Sequence, residues 1–334
     1  MNSRVGCLIT AIASLFAIAL PAAAADDGSL VVAIPYELTH VDPLAVNEPV
    51  QRILLETAAL GLTALAPTGG VEPAFATSVS RSASAAEWRI GIPADQTFAS
   101  GNPLGPTDVA RIFEAYRTVA RGFAFRDEVP FMKSLAAISA IQATEEQSEI
   151  VFTLEAADPH FLKTVGTLPL TDLRLRDLFG RQFGSGTAVA WYGPLQITEH
   201  RPNRGITLHA APLAGGKRPA ASKIVFQFIP KPSDLLRRLQ YGQVDIVPLP
   251  TTALLEHAAE DPVLLVEPSP LLRLAETSGP WRLLKHHWGR ESTSVNELQT
   301  DRIIVRKSIK LTPAARTRFD LSGVLPDVVP SASR

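Results

Sequence analysis

The sequence predicts an α/β fold, and three observations carry that prediction. Short apolar runs closed by proline or glycine recur along the chain, and segments of helical spacing lie between them. The stretch Glu87 to Arg117, EWRIGIPADQTFASGNPLGPTDVARIFEAYR, holds a strand, an anchored turn and a capped helix in one supersecondary unit. The 334 residues are 46% hydrophobic and 19% charged, which suits sizeable buried cores and permits two domains.

The N-terminus is a single Arg4, an apolar run Cys7 to Leu20, and the Ala-rich PAAAADD. This pattern predicts a secretory signal peptide over residues 1–25, since the apolar run is too short for a membrane span. Cys7 is the only cysteine and would leave with the leader, so the exported chain would have no thiol and no disulfide. A periplasmic location follows as the expectation, with no stable membrane insertion. A formal net charge of −1 gives no basic surface for nucleic acid.

Ser29 to Ile34 (SLVVAI) reads as a buried strand, ended by Pro35. The loop from Tyr36 to Pro43 follows, rich in side chains that can hydrogen bond and holding the turn-forming Asp42-Pro43. Val50 to Leu60 has helical spacing, closed by Gly61. Ser78 to Ala86 is small and polar and reads as an exposed loop. In the organising stretch, Trp88, Ile90 and Ile92 share one strand face, and Phe98 anchors the loop before Gly101-Asn102-Pro103. Thr107 is the expected cap of a helix with Val109, Ile112, Phe113 and Tyr116 on one stripe. Phe123, Phe125 and Phe131 read as anchors of a long loop or a ligand rim. Ile138 to Ile141 and Ile150 to Leu154 form two strands around a polar turn. Ile206 to Leu208 and Lys223 to Ile229 are further strands. A helix over Leu235 to Tyr241, stopped by Gly242, precedes a strand at Val244 to Val247. A helix at Ala253 to Ala259 and a strand at Val263 to Val266 follow.

Several of these elements together resemble the family 5 extracellular solute-binding proteins, the peptide, dipeptide and nickel receptors of ABC importers. The resemblance is carried by Trp88, Phe98, Gly101-Asn102-Pro103 and Thr107-Asp108-Val109, in that order. It extends to Val41-Asp42-Pro43, Pro159-His160-Phe161-Leu162, Tyr192-Gly193-Pro194 and the Gly242-Gln243-Val244-Asp245 segment. Where the family has Asp before the first glycine, this chain has Ser100, and Leu195 replaces an aromatic residue. The resemblance covers Leu30 to Val266, and Asp301 to Arg318 carries only a faint likeness to a later family helix.

The resemblance implies a bilobal periplasmic binding protein fold of type II with an extra N-terminal subdomain and an incomplete second lobe. It divides the chain into a first lobe (26–60 and 185–268), an inserted subdomain (61–184), and a second-lobe remnant and tail (269–334). It also implies the substrate-binding component of an ABC transporter, closing two lobes on a peptide or similar small polar solute and meeting an inner-membrane permease. The alternative is a shortened homologue that no longer transports and serves as a periplasmic interaction or regulatory protein. Position beside the first strand and the lobe crossing makes Tyr36, His40, Trp191 and Tyr192 the ligand-binding candidates; packing of those aromatics into the core is the other reading.

No catalytic constellation is visible. Ser185 lacks the Gly-x-Ser-x-Gly elbow of a hydrolase, and Glu145, Glu146 and Glu149 form a solvated turn. His286-His287 beside Trp288 point to opposite faces of a strand, without a further ligand at metal spacing. Arg302, Arg306, Lys307 and Lys310 have helix-like spacing, which suits either attraction to an anionic surface or, more commonly, a simple wet helix face. Neither an enzyme, a cofactor nor a bound metal is expected.

Overall fold

The computed structural model describes residues 29–45, 49–66, 68–124, 126–211, 219, 221–268 and 302–309. In chain order the elements are β1 (Ser29–Ile34), α1 (Pro49–Ala58), β2 (Thr63–Leu65), β3 (Val71–Pro73), β4 (Ser78–Arg81), β5 (Glu87–Gly91), α2 (Pro106–Gly122) and α3 (Pro130–Ala136). Then come β6 (Ile138–Thr144), β7 (Glu149–Leu154), α4 (Phe161–Thr164), α5 (Leu173–Phe179), β8 (Leu195–Arg201), β9 (Gly205–Ala210) and β10 (Lys223–Phe228). The rest are α6 (Pro232–Gln240), β11 (Ile246–Val247), α7 (Thr252–Glu260), β12 (Leu264–Pro268) and β13 (Arg302–Arg306).

Seven strands form the larger sheet, in the order β12-β13-β11-β1-β10-β9-β8. β1 runs parallel to both its neighbours, β10 and β11, while β9 is antiparallel to β8 and β10 and β13 to β11 and β12. Its continuous apolar sequence is what a strand covered on both faces requires. Leu30, Val32 and Ile34 pack on one side with Val50, Ile53 and Leu54 of α1. Ala33, with Val31 against it, packs on the other side with Leu235 and Leu239 of α6 and Leu254 of α7. Helices therefore cover both faces of a mixed sheet, an α/β layering.

The expected basic helix after residue 301 is replaced by strand β13. Its middle residues Ile303, Ile304 and Val305 are all buried, because β13 lies between β11 and β12 and is covered from both sides. Ile303 and Val305 face the α1 side and Ile304 the α6–α7 side. Arg306 pairs with Leu264 in the ladder while its guanidinium meets Asp245 at 3.0 Å, and Asp245 Oδ2 also accepts the Val31 amide at 2.8 Å.

The second sheet is antiparallel, in the order β4-β5-β7-β6, with α2 and α3 packed on it. Trp88 and Ile90 of β5 and the α2 stripe of Val109, Ile112, Phe113 and Tyr116 are buried as the spacing predicts. Phe113 meets Phe152 of β7 edge to face at 5.0 Å. Three local expectations change. Ser78–Arg81 is an edge strand held by β5 rather than a loop. Phe131 lies in a helix, α3, whose apolar face reaches the same core. Helix α2 begins at Pro106, so Thr107 is inside it, and its amide and hydroxyl contact Glu145 Oε1 at 3.0 and 2.5 Å. Asp108 takes the capping role instead, accepting the Gly105 amide at 3.1 Å.

Candidate functional site

Two loops meet at the carboxyl end of β1. The first is the connection from Tyr36 to Leu44. Its Val41 is wholly buried and donates its amide to the Gly184 carbonyl at 2.7 Å. Asp42 Oδ1 accepts the Leu44 amide at 2.9 Å, closing a local turn, and Gln51 of α1 clamps the Asp42 carbonyl at 2.8 Å. The second loop, Phe183 to Ser185, needs glycine at its centre. Gly184 has φ +85, and a Cβ there would fall 2.9 Å from Asp42 N, Val41 C and His40 Nε2.

Together with the end of α5, these loops enclose an open depression of about 530 Å3. Its lining is His40, Asp42, Arg176, Asp177, Gly180, Arg181 and Phe183. Burial pushes the Asp42 carboxyl above its ordinary value; the Leu44 amide, Arg176 and His40 oppose that shift without overcoming it. The helix that presents Arg176 is set by a side-chain cap at one end and a glycine stop at the other. Asp172 caps α5 through the Arg174 amide at 3.1 Å, and Gly180 ends it with φ +55.

The four residues singled out from the sequence divide into two pairs. His40 is exposed on the depression, with Nδ1 3.1 Å from Ser185 Oγ, and half-buried Tyr36 accepts the Val50 amide at 3.3 Å. Trp191 is fully enclosed, and its indole N–H donates to the carbonyls of Leu195 at 2.7 Å and Ala58 at 3.1 Å. Its polar tip is spent on holding β8 against α1, so it is a core residue and not part of a cleft surface. Tyr192 is also buried, packed edge to face on Phe75 at 4.7 Å with its hydroxyl on Gln96 Oε1 at 3.0 Å; burial raises its pKa. Arg176, Arg181 and Phe183 were not singled out. The signal available for them was the Asp172 cap and Gly180 stop of a short helix next to the glycine-rich loop.

A second, smaller cavity of about 70 Å3 lies beside α1, where Arg52 and Glu56 pair at 2.6 Å. Among the described residues no group of three or more His, Cys, Asp or Glu could hold a metal ion, and no helix is long and apolar enough to cross a membrane. His286 and His287 lie outside the described residues.

Comparison with known proteins agrees with this architecture. The model for the bacterial extracellular solute-binding proteins, family 5, matches residues 70–281. Among solved structures, the chain superposes with TM-score 0.62 on MoaA of A. tumefaciens R10 in complex with mannopinic acid, at 20% identity, covering 72% of this chain and 49% of that one. DppA of Helicobacter pylori in complex with the peptide STSA gives 0.60 at 20% identity, with 72% and 50% covered. NikZ of Campylobacter jejuni in complex with Ni(L-His) gives 0.60 at 17% identity, with 72% and 47% covered. No curated protein matches the chain. The chain thus spans about half the length of these solved relatives.

Proposed function

Because the chain belongs to the bacterial extracellular solute-binding proteins of family 5, we propose that it captures a peptide or similar small polar solute in the periplasm for an ABC permease. The family is one of binding proteins and not of enzymes. The observation that carries the reading is the locked contact of Val41 with Gly184, which builds the open depression at the end of β1. Open α/β sheets place ligands in crevices at the carboxyl ends of their strands.

In this reading the larger sheet and its helices form the first lobe, and the smaller sheet with α2 and α3 forms the inserted subdomain. β13 then belongs to the first lobe, since it lies inside that sheet. Residues 1–25 direct export. Solute settles against the loop of Tyr36 and His40 while the buried Trp191 and Tyr192 keep the crossing between the units rigid. Closure of a second body over the solute yields the state a permease recognises.

Thermal unfolding of the purified protein against peptides, amino acids, sugars and nickel chelates tests this proposal. A ligand that binds only the folded state raises the melting temperature with concentration. A dose-dependent rise with one class supports the receptor. A flat response from a cooperatively melting protein favours a non-transporting interaction partner.

A further inference from the structure

The depression has a net chemical character that its family membership does not specify. Five ionisable side chains line it: His40, Asp42, Arg176, Asp177 and Arg181. The two carboxylates are already engaged. Asp177 forms an ion pair with Arg111 outside the depression, and Asp42 is held by the Leu44 amide. The two arginines are different. Arg176 and Arg181 are both exposed, and among the described residues neither side chain makes a hydrogen bond or ion pair. Arg176 does lower the Asp42 pKa through space, yet that influence is weaker than burial. Two guanidinium groups therefore face the same hollow with their donors unspent.

Between them the chain runs Asp177, Leu178, Phe179 and Gly180; Asp177 and Gly180 line the depression, while Leu178, 73% exposed, and Phe179, 38% exposed, lie outside its lining. The stop at Gly180 keeps Arg181 off the helix while Arg176 stays in the last turn of α5. A planar guanidinium donates two parallel N–H bonds to a carboxylate, a geometry that a neutral amide cannot return with equal strength. We propose that the depression selects solutes carrying a carboxylate, with Arg176 and Arg181 as the specificity residues. This rests on the binding function proposed above and names its solute class.

The test is calorimetric titration of the full chain with matched pairs of probes. One pair is the dipeptide Ala-Phe and its C-terminal amide; the other is 3-phenylpropionate and 3-phenylpropionamide, and inorganic phosphate serves as a bare anion. The proposal expects each acid to bind about tenfold or more tightly than its amide. The Arg176→Gln and Arg181→Gln variants should lose that discrimination, and because both side chains are exposed they should melt as the parent does. If only the peptide pair binds, the carboxylate is read in a peptide; if both pairs bind, the free acid suffices. Acid and amide binding equally, or phosphate outcompeting both acids, overturns the carboxylate selection and leaves the receptor standing. Failure of every acid to bind overturns the carboxylate selection, while the receptor reading stands or falls separately on the thermal-unfolding panel.

Discussion

Asn102 donates its side-chain amide to Asp172 Oδ2 at 2.6 Å, joining two residues 70 positions apart around a fully buried carboxylate. The same oxygen accepts Ser100 Oγ at 2.7 Å, and Oδ1 caps α5 through the Arg174 amide. One acid thus fastens the turn before α2 to the helix that carries Arg176. A buried charge is tolerable when its lone pairs are used, and here they are.

Removing that acid should be costly. Asp172→Ala strands the Ser100 and Asn102 donors and uncaps α5, and a loss of about 3 kcal/mol is expected in urea unfolding. Ser100→Asp, which restores the residue usual in the family, should destabilise as well. It would set a second carboxylate against Asp172 where a hydroxyl now donates. Equal stability of Ser100→Asp and the parent at neutral pH would refute this account of the substitution.

Gly184→Ala combines a left-handed backbone with a Cβ 2.9 Å from three atoms of the opposing loop. The expected cost is about 1–3 kcal/mol, with a displaced loop at His40 and weakened solute binding. Parallel measurement of melting temperature and affinity checks both effects.

Asp42 gives a pH signature. Burial raises its folded-state pKa above the unfolded value, so the native chain holds this proton at pH values where the unfolded chain has released it. The group therefore favours folding below its unfolded pKa, and that contribution is lost as pH rises through the raised value. Asp42→Asn keeps an oxygen for the Leu44 amide and removes the buried charge. It should stabilise the protein at neutral pH, with the advantage shrinking toward acid in a series of melts. An advantage that grows on acidification would contradict the sign.

Trp191→Phe separates packing from binding. The variant leaves the carbonyls of Ala58 and Leu195 without their shared donor, for an expected loss of about 1–3 kcal/mol. Solute affinity, measured where the variant is folded, should stay within about twofold, since the enclosed ring makes no free surface.

The features legible in the sequence were those whose cause is local. The SLVVAI run, the alternation of Trp88 and Ile90, the α2 stripe and the Gly242 stop all reappear as elements of the fold. Tertiary context decided the others. RIIVR becomes a strand because β11 and β12 offer it ladders on both sides, and its terminal arginines mimic a solvated helix. SVSR is a strand only through β5. The polar tip of Trp191 suggested a ligand contact, but its partner carbonyls include Ala58, which lies 133 positions away. Arg176 and Arg181 carry no periodic signal, and they share a hollow only because Asp172, Gly180 and Gly184 position their loop.

The central claim is that solute binds where the Tyr36–Leu44 loop meets Gly184. Hydrogen–deuterium exchange of the full chain, with and without a saturating pool of di- to pentapeptides, tests it most directly. The account predicts slowed exchange confined to peptides covering residues 36–45 and 176–188. Protection confined to the Arg52–Glu56 cavity, or unchanged exchange despite calorimetrically demonstrated binding, would contradict it.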